Sequence, residues 1–60
     1  MKTDYTFALI ELDAQEAQQF ANDTAYHDIV VRHAERLSDE VQRTVEICGH
    51  DTVLETVTNY

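Results

Sequence analysis

The chain contains no proline, one glycine, one cysteine and only four lysines and arginines among its 60 residues. Each shortage excludes something. With no proline, and Gly49 as the sole glycine, no linker, repeat or low-complexity block divides it, so 1–60 reads as one acidic domain. A lone Cys48 cannot form an intramolecular disulfide, which makes a reducing cytoplasm the simplest location. No apolar run approaches the ~18 residues of a membrane-spanning helix. The opening MKTDYTF lacks the continuous apolar core of a signal peptide. A soluble, cytoplasmic protein is expected.

The scarcity of bases leaves a net charge of −8. Self-repulsion of that size opposes compaction, and the surface repels nucleic acid and anionic membranes. The partners it favours are basic: a cationic protein groove, polyamines or metal cations. A domain of this length buries only about 60% of its unfolded surface. The larger core candidates are Tyr5, Phe7, Leu9, Ile10, Leu12, Phe20, Tyr26, Ile29, Val30, Leu37, Val41, Val45, Ile47, Val53, Leu54 and Val57. They suffice for one small core, and homodimerisation is an ordinary way to enlarge it, so a monomer or a homodimer is expected.

What is present is patterned. Thr3 to Leu12 is rich in β-branched and aromatic residues, with Tyr5, Phe7 and Leu9 on one face at period two and Thr6, Ala8 and Ile10 on the other, which predicts a strand. Asp13 suits an N-cap, since its carboxylate can accept from the free amides of the next turn. AQEAQQFAN then predicts a short helix, with Ala14, Ala17, Phe20 and Ala21 on one side and Glu16, Gln19 and Asp23 away from it. Asn22-Asp23-Thr24 interrupts the pattern and can cap a second helix. There Tyr26, Ile29, Val30, Ala34, Leu37 and Val41 form an apolar side opposite Asp28, Arg32, Glu35, Arg36, Asp39 and Arg43, at least to about Gln42. Residues 43–48 fit two readings. They can continue the helix, ended by Gly49 in the left-handed conformation, or form a hairpin, because RTVEIC and DTVLETV flank Cys48-Gly49-His50. The expected fold is α+β: an N-terminal strand, two helices, and one or two C-terminal strands pairing with the first.

The acids are distributed unevenly. On the second helix Asp28 with Arg32, Arg36 with Glu40 and Asp39 with Arg43 stand at i,i+4, a spacing that neutralises its surface. Residues 3–24 and 44–60 contain acids and no base. If the terminal strands pair, these segments make one side of the molecule strongly negative. A duplex carries about one phosphate per 1.7 Å, and its protein partners present Lys/Arg grooves to match. Rigid carboxylates spaced at comparable distances can occupy such a groove. Glu16 and Asp23, two turns apart on one helix, would stand about 10 Å apart. The expected partner-binding residues are Glu11, Asp13, Glu16 and Asp23, supported by Asp4, Glu46, Asp51 and Glu55.

In length, acidity and the base-free segments TDYTFALIELDAQEAQQFANDT and TVEICGHDTVLETVTNY, the chain resembles the small phage-encoded anti-CRISPR and anti-restriction proteins that mimic nucleic acid. The resemblance implies a non-enzymatic inhibitor. It would block a basic DNA- or guide-binding surface on a host defence complex, a CRISPR effector or restriction nuclease, in the host cytoplasm. Those proteins differ in fold among themselves, so no architecture follows from the likeness. Two other readings stand beside it. One is an antitoxin-like partner of a basic toxin, although the basic stretch of a DNA-binding module is missing. The other is a structural or adaptor protein whose acidic surface is adapted to salt.

No catalytic or metal site is expected. Cys48-Gly49-His50-Asp51 offers three ligands in four residues, but structural zinc requires four. His27 and His33 face different sides of a helix. His33 fits a boundary position with Glu40 as its partner, and a Cys48–His50 nucleophile pair lacks an orienting third group. Tyr26 is assigned to the core and Tyr60 to the surface. No cofactor is implied.

Overall fold

A computed structural model of the chain describes residues 7–60, with Phe7 described by its backbone alone. Asp4, Tyr5 and the start of the predicted strand lie outside the described residues. The elements run β1 (Phe7–Glu11), α1 (Ala14–Asn22), α2 (Thr24–Val41), β2 (Thr44–Cys48) and β3 (Val53–Val57). The α+β expectation holds: one strand, two helices and two strands form a single mixed sheet.

The sheet order is β1-β2-β3. β1 pairs parallel with β2, Ala8 opposite Val45 and Ile10 opposite Ile47. Parallel neighbours need a crossover of a dozen or more residues, and α1 with α2 supplies it. β3 returns antiparallel on the other side of β2, so the two terminal strands occupy opposite edges and never touch. Between residues 43 and 48 the hairpin prevails over the longer helix. Val45 and Ile47 alternate inward and are fully buried, a period-two pattern that a helix could not satisfy. The helix stops earlier than Gly49, at Gln42, which holds the left-handed conformation (φ 57°, ψ 45°) and donates its amide to Ser38 O. Gly49 has no positive φ. Its amide closes the β2–β3 turn by donating to Thr52 O at 2.7 Å.

Both helix starts follow their predicted caps. Asp13 and Glu16 form a capping box, each side chain accepting from the other's backbone amide at 2.8 and 3.0 Å. Asp23 ends α1 and caps α2, its carboxylate accepting from the amides of Ala25 and Tyr26.

The core consists of Leu12, Phe20, Val30, Ala34, Val45, Ile47 and Val57, edged by Ala8, Ile10, Ala17, Tyr26, Val31 and Leu37. Helix α2 lies across all three strands, and α1 packs on α2. The buried line of α2 is Val30–Ala34–Ser38, narrower than the predicted apolar side and rotated from it. Ala34 and Ser38 are small enough to bring the helix backbone close to the sheet. Ile29 is left 63% exposed and Val41 39%. On β1 the helices cover Ala8 and Ile10, the opposite face from Leu9, which is 55% exposed. Val53, Leu54 and Tyr60 are also exposed.

Candidate functional site

The predicted acids divide into groups. Glu11 ends β1 and is exposed. With the capping residues Asp13 and Glu16 it lines a shallow, open depression completed by Leu12, Gly49 and His50. The hydrogen bond from Leu12 N to Cys48 O (2.9 Å) brings the end of β1 against the β2–β3 turn, which is why residues so distant in sequence share this rim. Asp51 adjoins it, exposed, with its carboxylate 3.8 Å from His50 Nε2.

The remaining acids stand elsewhere. Asp23 is extended (φ −119°, ψ 106°) between the two helices, and its carboxylate accepts from the amides of Ala25 and Tyr26 rather than standing free beside Glu16. Glu46 projects from the side of β2 away from the helices, in register with Leu9 and Thr56. Glu55 projects the opposite way and meets His27 Nε2 at 2.9 Å. Asp4 lies outside the described residues.

The i,i+4 pairs anticipated on α2 do not close. Among the described residues no arginine comes within 4.0 Å of a carboxylate, and each ion pair found involves histidine. Arg43 cannot join Asp39 along a helix that has already ended at Gln42. Arg32 and Arg36 line a separate shallow depression with Ile29 and His33 on the outer side of α2. His33 is exposed and has no carboxylate partner among the described residues. Glu40, seven residues on, is about 10 Å further along the axis at ~1.5 Å per residue.

The histidine with a carboxylate partner is His27. Its ring is held by Glu55 from β3, approached by Asp28 at 3.5 Å, and tilted against Phe20 of α1 with centroids 4.6 Å apart. The Glu55 hydrogen bond pushes its pKa above the ordinary 6.5; partial desolvation opposes this and Asp28 adds to the rise. One signal in the sequence did point here. His27 precedes Val30 by three residues and Ala34 by seven, which places it on the buried line of α2.

Cys48 is half-buried, and burial pushes its thiol pKa up, with further contributions from Glu46 and Glu11. The site therefore favours the unreactive thiol over the thiolate. Among the described residues no three His, Cys, Asp or Glu side chains converge as a metal would require. Nor is any described helix long and apolar enough to cross a membrane.

Comparison with protein families, curated proteins and solved structures finds no match to this chain.

Proposed function

We propose that the protein is a non-enzymatic inhibitor that occupies a positively charged nucleic-acid-binding surface of a host defence complex, its carboxylates standing in for phosphates. The observation that carries the reading is the exposed rim of Glu11, Asp13 and Glu16, joined by Asp51, with no arginine among the described residues within 4.0 Å of these carboxylates. Capping does not remove their charge. An ionised carboxylate offers about four acceptor sites, and each cap uses only some of them. A partner's lysines and arginines can take up the rest, and the field of the whole molecule (−8) speeds their encounter. The partner class is a CRISPR effector or restriction nuclease, and the setting is the host cytoplasm. The inhibition is competitive, without chemistry.

The test is DNA cleavage by a panel of CRISPR effectors and restriction nucleases, titrated with the protein. One or more should be inhibited, with relief as sodium chloride rises from about 0.1 to 0.5 M, because screening weakens the contact. Glu16 and Asp23 are unsuitable for charge reversal, since both hold helix caps. Glu11 and Asp51 make no hydrogen bond through their side chains among the described residues, so Glu11→Lys with Asp51→Lys should preserve the fold while weakening inhibition about tenfold or more. Undiminished cleavage across the panel at large excess of protein would overturn the reading.

A further inference from the structure

All the helix packing falls on one side of the sheet. Val45, Ile47 and Val57 point into the core together with Ala8 and Ile10, so alternation sends Leu9, Glu11, Glu46, Cys48 and Thr56 to the other side. Leu9, Glu46 and Thr56 form one row across the three strands; in the next, Glu11 and Val53 stand on either side of Cys48, the β2–β3 register slipping by one residue there. The result is an apolar strip, Leu9–Cys48–Val53, flanked by two carboxylates. No basic residue of the described strands shares that face.

We propose that this open face is a docking surface for an amphipathic basic helix of a partner protein, its apolar side chains lying on Leu9 and Val53 and its lysines or arginines reaching Glu11 and Glu46. Charge decides against a second copy of the chain. Stacked face to face, two copies would set Glu11 and Glu46 against identical carboxylates on molecules of like net charge. Size decides the same way. Three strands of five residues cover roughly 16 by 14 Å at ~3.3 Å per residue and ~4.8 Å per strand. That is far below the ~800 Å² per partner that a stable homodimer needs, and suits the smaller area of a transient contact. It does match the ~10–12 Å width of a single helix. The proposal shares Glu11 with the rim above, but what carries it, the apolar strip on the sheet, takes no part in the nucleic-acid mimicry.

The experiment uses two synthetic 18-residue peptides of equal charge. One is an amphipathic Leu/Lys helix and the other has serine in place of every leucine. Each is titrated into the isotopically labelled protein at about 0.15 M salt, where long-range attraction is largely screened. The Leu/Lys peptide should shift the amides of Leu9, Glu46 and Thr56 and bind about tenfold more tightly than its serine counterpart. Leu9→Ser and Val53→Ser, on separate strands, should each weaken it several-fold. Ile29→Ser, on the far side of α2, should not. Equal binding of the two peptides, shifts centred on the helices, or an equal effect of Ile29→Ser would overturn the proposal. So would a dimer, detected by sedimentation, that Leu9→Ser dissociates.

Discussion

The imidazole of His27 and the carboxylate of Glu55 meet at 2.9 Å, linking helix α2 to the edge strand β3 across 28 residues of sequence. The same ring lies against Phe20 of α1. One side chain therefore touches three elements, and its protonation state bears on how they hold together.

Because the folded-state pKa of His27 is raised, its contribution to stability is fully present below the unfolded value of 6.5 and is lost as pH rises through the folded value. Thermal melts of the protein and of His27→Gln from about pH 6 to 8.5 should show the gap between them closing as pH rises. Glu55→Gln should behave like His27→Gln. A gap of constant size would mean the pair has no linked proton.

Ser38 is fully buried, and its hydroxyl donates to Arg43 O at 2.6 Å while accepting from Asn59 N at 2.9 Å. It ties the end of α2 to the entry of β2 and to the segment after β3. Ser38→Ala leaves an amide and a carbonyl without partners, so a loss of about 1–3 kcal/mol is expected in urea denaturation. A loss below about 0.5 kcal/mol, the scale of ordinary surface substitutions, would show that water replaces the hydroxyl.

The acids separate into those that hold helices and those that do not. Asp23→Ala removes the acceptor for two amides and should cost about 1 kcal/mol. Asp51→Ala, exposed and 3.8 Å from His50, should stay within about 0.5 kcal/mol of the parent. Paired denaturation curves measure both. Equal effects would remove the distinction on which the choice of charge-reversal variants rests.

Salt tests why the chain is acidic at all. Folding at about 0.1 M sodium chloride, where the screening length is ~10 Å, is expected, with the melting temperature rising as salt relieves repulsion. Circular dichroism across sodium chloride up to about 3 M, where screening is nearly complete, reads this directly. A chain structured only in molar salt would identify the acids as an adaptation to brine and remove the main support for a basic partner.

Much of the architecture was legible in local pattern. Asp13 and Asp23 announce both helix starts, because capping acts within three residues and depends on little else. The strand character of VLETV and the span of α2 follow from propensity and period. Residues 43–48 were ambiguous because TVEIC satisfies either period locally, and only its pairing on both sides makes it the central strand. Ile29 and Leu9 were misplaced for a related reason. Hydrophobicity marks which residues could be buried, but a three-stranded sheet and two short helices cover only one line of α2 and one face of β1.

The sequence by itself determined the acidity, the helix starts and the α+β class, since these rest on composition and on contacts a few residues apart. Tertiary structure decided the rest. It set β2 between the terminal strands, joined His27 to Glu55, gathered Glu11, Asp13 and Glu16 beside the β2–β3 turn, and left Glu46 on an open face. Those outcomes depend on which distant segments pair and in what register. A shift of one residue in a strand reverses the face of every side chain on it, so no local pattern could have specified them.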